Sequence, residues 1–130
     1  MKVLLVTLSM MFVAGAFAAE PAASAGLAAA RLMKSRADAG DAEAMYILGF
    51  LAVSFGPQPF EKKNAEAPAW KELLGDTAGP GWMEKSAQAG YPRAIDGICR
   101  MGQDNLAPAA LREAKSAQCA ELRAKYPGKG

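Results

Sequence analysis

The stretch that decides the fold is Trp82-Met83-Glu84-Lys85-Ser86-Ala87-Gln88-Ala89-Gly90-Tyr91-Pro92-Arg93-Ala94-Ile95-Asp96-Gly97-Ile98. Its first half consists largely of good helix formers and stops at Gly90, a residue able to take the left-handed conformation that ends a helix. Pro92 follows, at a place where a first helical turn tolerates proline. A connection as short as Gly90-Tyr91 makes the two flanking helices antiparallel neighbours. Fifty residues upstream, Gly40-Asp41 repeats the device, and Met33, Ala37, Ala39 and Gly40 recur as Met83, Ala87, Ala89 and Gly90. A third, partial copy lies downstream, where Lys85-Ser86-Ala87-Gln88 returns as Lys115-Ser116-Ala117-Gln118. Self-similarity at fixed spacing is the signature of a helical repeat protein.

The rest of the chain extends the same pattern. It is rich in Ala, with Leu, Met, Lys, Arg, Glu and Gln, and β-branched residues are few after Val13. No stretch alternates apolar and polar residues as a half-buried strand does. The sequence therefore predicts an all-α fold. Ser24 can cap a helix running to about Ala39, and Asp41 caps a second from Ala42 to about Phe55, with Glu43 favourably placed in its first turn. Gly56-Pro57 ends that helix. A polar, proline-punctuated loop over 56–66 precedes a short helix from Pro68 to Leu74. Pro80 opens a helix that stops at Gly90, Pro92 one that ends near Gly102, and Pro108 a last one that runs to Tyr126.

Between 32 and 56 and between 82 and 102 the chain resembles the Sel-one-like repeat family, relatives of the tetratricopeptide repeats. That family's second helix reads W-Y-x-K-A-A-x-x-G. Trp82, Lys85, Ala87 and Gly90 match it, while Met83 and Ser86 depart from it. Its following helix reads A-x-x-x-L-G-x-x-Y. Ala44, Leu48 and Gly49 match, with Ala52 at the Tyr position; in the later copy Ala94 and Ile98 fit, and Cys99 replaces the glycine. The resemblance implies a short α-α solenoid of antiparallel hairpins, a TPR-like superhelix of about two and a half repeats. Residues 56–76 are an insertion, and the 108–126 helix is a cap with Leu111 and Leu122 facing inward. Packing chemistry supports the motif independently. Ala44, Gly49, Ala87 and Ala94 are small enough for close helix approach, and Leu48, Ile98, Trp82, Met45 and Met83 fill the remaining space.

The first residues read differently. Met1-Lys2 carries a positive charge, Val3 to Phe17 is almost wholly apolar, and Ala16-Phe17-Ala18 fits the small-x-small rule for signal cleavage. The expectation is a leader over 1–18, cut at Ala18–Ala19, and a single helical domain over 19–130 in a bacterial periplasm or outside the cell. Cys99 and Cys119 then face an oxidising compartment, which favours one disulfide over two buried thiols or a link to a partner. In a simple hairpin the two would stand more than about 10 Å apart at about 1.5 Å per residue. Either the 102–107 connection runs back along the helix or the pair does not close.

Without its leader the chain has 14 basic and 13 acidic residues, scattered in both signs. No basic block offers a grip on nucleic acid. No further apolar run is long enough to cross a bilayer. Histidine is absent, and with it the commonest general base and a main metal ligand. No P-loop, Gly-x-Ser-x-Gly or Ser-x-x-Lys occurs. The sequence therefore points away from an enzyme and requires no cofactor or metal. It points to an exported scaffold or adaptor for an unidentified protein partner. A self-associating envelope protein is the second reading. A hydrolase of cell-wall or β-lactam substrates, known among cysteine-rich relatives, is a distant third. Phe60 and Trp70, in the insertion, are not explained by helical core spacing. They either form a partner-facing patch or pack as a satellite core, and Phe55 beside them reads as core.

Overall fold

The computed structural model describes residues 24–58 and 60–128, so the expected leader and its cleavage bond lie outside the described residues. Among these residues the chain is all-helical. The helices are α1 (Ala25–Asp38), α2 (Ala42–Phe55), α3 (Ala67–Leu74), α4 (Gly79–Gln88), α5 (Pro92–Met101) and α6 (Ala109–Lys125). The expected caps set the first boundaries. Ser24 Oγ accepts from the Leu27 amide at 3.3 Å, and the Asp41 carboxylate accepts from the Ala44 amide at 3.1 Å.

The two glycine stops adopt one geometry. Gly40 and Gly90 have φ of 93° and 91°. At the first, the Gly40 amide donates to the Ala37 carbonyl and the Asp41 amide to the Arg36 carbonyl, at 3.0 and 3.1 Å. At the second, the Gly90 and Tyr91 amides donate to the Ala87 and Ser86 carbonyls at 2.9 and 3.1 Å. This paired closure satisfies the helix-end carbonyls and needs a left-handed residue at the turn. The fifty-residue spacing in sequence is thus a repeat in backbone conformation.

Packing follows chain order, except that α3 is set aside: α1 lies on α2, α2 on α4, α4 on α5 and α5 on α6, while α3 touches α1. The α2–α4 contact is close because it is built on small residues. A Cβ on Gly49 would stand 2.6 Å from the Gly79 carbonyl oxygen and 2.9 Å from the Met83 amide nitrogen. Nearby, the fully buried Ser86 hydroxyl donates to the Ala42 carbonyl at 2.6 Å and is satisfied, whereas the buried Trp82 Nε1 has no hydrogen-bond partner among the described residues. Two apolar clusters result. One gathers Leu27, Ala30, Ala37, Ala44, Leu48, Ala52, Trp70 and Trp82; the other gathers Ala87, Ala94, Ile95, Ile98, Cys99 and Leu122.

The last helix departs from a simple hairpin. Cys99 and Cys119 form a disulfide with Cα atoms 4.9 Å apart, and Ser116 Oγ donates to the Gly102 carbonyl at 3.2 Å. The C-terminal end of α5 therefore meets the middle of α6, and the first two turns of α6 overhang it. The 102–108 connection carries the chain past the end of α5 before α6 turns back, which brings Cys119 beside Cys99. The overhang also corrects the expectation for Leu111: it is 39 % exposed, while Leu122 is buried.

Candidate functional site: an apolar groove along α2, α4 and α5

α2 is apolar around most of its circumference, with Glu43 and Ser54 as its polar residues, a pattern that usually implies burial nearly all round. Its inner face, Ala44, Leu48, Gly49 and Ala52, is buried. Its outer face carries Tyr46, Phe50 and Val53, spaced at four and three residues and so on one stripe. Phe50 is 52 % exposed, and Val53 is exposed too. An aromatic and a branched aliphatic residue therefore stand in water on a helix whose other side is core.

This stripe borders a groove of about 330 Å³, at the low end of the range of roughly 300–1,000 Å³ typical of ligand-sized sites. Tyr46 from α2, Pro80 and Met83 from α4, and Ile98 and Met101 from α5 supply its apolar lining. Gly97 leaves an opening, since a Cβ there would meet nothing within 4 Å. Met101, 44 % exposed, forms the lip. Tyr46 is steadied by Tyr91, their ring centroids 5.2 Å apart. The charged residues of the lining are Glu84 and Lys115, which face each other at 3.6 Å, and Gln118 donates to Glu84 at 2.7 Å. The rim is electrically balanced and the floor apolar. Such a groove suits uncharged, apolar side chains, with methionines that adapt to different shapes.

The insertion aromatics separate. Trp70 is 1 % exposed and belongs to the first core cluster with Leu27 and Ala30. It cannot face a partner, which corrects that expectation; the insertion folds back through α3 onto α1. Trp70 Nε1 donates to Glu66 at 3.4 Å, and Glu66 also accepts from the Ser24 amide and hydroxyl at 2.7 and 2.9 Å. Those bonds, the Ser24 amide foremost, hold the Glu66 carboxyl below its ordinary range. Asp41 is lowered likewise, first by the Ala44 amide and then by Arg36. Phe60 is the opposite case: it is 82 % exposed at a turn closed by the Glu61 amide on the Gln58 carbonyl. Phe55 is exposed rather than core, lying over Gly26 at the start of α1.

The motif residues are structural in placement. Ala44, Leu48, Gly49, Trp82, Ala87, Gly90, Ala94 and Ile98 are all buried. Trp82 carries Lys85 and Lys34 over its ring at 4.7 and 5.7 Å, a cation–π arrangement. Of the groove residues, the sequence marks Met83 and Ile98 only as core fill; Tyr46, Phe50 and Val53 carry a readable signal of their own, a second apolar stripe on a helix already supplied with one.

Among the described residues no cluster of three or more His, Cys, Asp or Glu side chains is placed to hold a metal ion, and no helix is long and apolar enough to cross a membrane. No family model, no curated protein and no solved structure matches this chain.

Proposed function

We propose that the protein is an exported interaction scaffold, a short α-α solenoid of the Sel-one-like repeat type, whose α2–α4–α5 groove takes an apolar segment of an envelope protein. The observation that carries this reading is the outer face of α2, which keeps Phe50 and Val53 in water beside a groove lined by Tyr46, Met83 and Met101. Exposed apolar residues contiguous with an apolar groove mark interaction sites. The balanced Glu84–Lys115 rim favours an uncharged occupant over an acidic or basic one. Two features support the repeat assignment: identical glycine turns at 40 and 90, and burial of the small motif residues between helices. The disulfide fits a bacterial periplasm or the extracellular space.

Phe50→Asp combined with Met101→Glu places one charge on the exposed stripe of α2 and one on the lip of the groove without touching either core cluster. The doubly substituted protein should keep its helical circular dichroism and melt within about 1 kcal/mol of the parent, the usual range for surface changes. It should also lose the partner recovered by crosslinking the parent in its native envelope. Recovery of the same partner by both proteins sinks the groove as the docking surface. Crosslinks only between copies of the chain would transfer the face to self-association.

A further inference from the structure

We propose that the Cys99–Cys119 bond is a redox-cleavable clamp on α6, opened by a dithiol reductant, and that its opening remodels the groove. Each helix from α1 to α5 except α3 buries four residues, and α3 buries the bulky Trp70; α6, with 17 residues, buries Leu122 alone. Beside Leu122, the Tyr126 ring packs on the second cluster at Gly90. The polar ties of α6 to its neighbours are the hydrogen bonds from Ser116 to Gly102 and from Tyr126 to Gln88 and the contacts of Lys115 and Gln118 with Glu84. The Ser116, Gln118 and Tyr126 bonds are exposed and the Lys115 contact is half-buried, and each is weak beside a covalent bond. The disulfide is the one strong tie, and it is chemically reversible. Cys119 is half-buried and Cys99 buried, so a thiolate reaches the Cys119 Sγ first.

The step balances as thiol–disulfide exchange. A donor thiolate attacks Cys119 Sγ, the Cys99–Cys119 bond breaks, and Cys99 leaves as a thiolate that takes up a proton. The donor's second thiol loses its proton and attacks the donor sulfur of the mixed disulfide, releasing Cys119 as a thiol. The protein gains two electrons and two protons, and the donor becomes a disulfide. Release of α6 withdraws Lys115 and Gln118 from Glu84, so the groove loses one wall and its rim changes from balanced to acidic. This consequence for binding rests on the groove reading above; the clamp itself does not.

Hydrogen exchange read by mass spectrometry tests the clamp without any partner. Dithiothreitol should speed exchange over 109–126 at least tenfold and leave α2 and α4 protected. A Cys99→Ala/Cys119→Ala protein should show the same pattern with no reductant. Unchanged protection of α6 overturns the proposal, because other contacts then suffice to hold it. Loss of protection in α2 and α4, or failure of the double variant to fold, also overturns it, because the bond then staples the whole fold. A confirmed clamp combined with partner binding that ignores the groove substitutions would separate the two ideas.

Discussion

The two ends of this molecule are held together by different means. Around α1–α4 the chain spends both of its tryptophans: Trp70 and Trp82 fill the space between helices that small residues allow to approach closely. Around α5 and α6 no tryptophan is available, and the second cluster closes on Ile95, Ile98 and Leu122 with a disulfide across it. A small core short of apolar area gains most from a covalent staple. The difference teaches that the glycine turns and small residues fix how neighbouring helices meet, while the stability of each pair depends on what fills the gap.

The contrast can be broken most forcefully at its tryptophan end. Trp70→Ala removes the largest fully buried side chain and should cost about 3–5 kcal/mol, read as a large drop in melting temperature. It should also free the insertion, so that proteolysis within 56–66 accelerates. A change near 1 kcal/mol would mean that the insertion is a passive appendage rather than part of the first core.

A smaller effect is expected at the other end. Tyr126 Oη donates to the Gln88 carbonyl at 2.7 Å, and its ring lies against Gly90, where a Cβ would stand 2.8 Å from a ring carbon. Tyr126→Phe keeps the ring and removes the bond, so about 1 kcal/mol should be lost. The loss should appear as fraying of the end of α6, visible in amide exchange, with the α1–α2 amides unaffected.

The mildest probe is acid. Asp41 and Glu66 have carboxyls lowered in the folded state by amide and side-chain partners. A carboxyl depressed on folding stabilises the fold above its unfolded pKa of about 4, and that contribution is lost as pH falls through the lower folded value. Melting temperature should therefore hold from neutrality to about pH 5 and decline below about pH 4. Both groups cap or tie α1 and α2, so early acid loosening belongs at that end. Loosening that begins in α6 would contradict this placement.

Much of the architecture was legible because it depends on local chemistry. Ser24, Asp41, Gly40, Gly90 and Pro92 announce helix ends through hydrogen-bond and dihedral requirements that hold in any fold, and the helix limits fall within a residue or so of those marks. The register of α6 was not legible. The 102–108 connection carries no residue that dictates how far it travels, so the sequence leaves open whether Cys119 reaches Cys99 and places Leu111 inside. Trp70 was ambiguous for a related reason: inside an eight-residue helix without a repeat partner, periodicity cannot assign a face. The groove is not legible because an apolar helix gives no sign of which of its faces its neighbours leave uncovered, and Phe50 lies on such a face.

The central claim is that partners dock on the outer face of α2. A photoreactive amino acid placed at Phe50 tests it most directly, with the same probe at exposed Leu32 on α1 as the comparison. Irradiation of cells that make the protein should yield one reproducible crosslinked protein from position 50 and none from position 32. Equal labelling at both positions, or no product from position 50, would contradict the account.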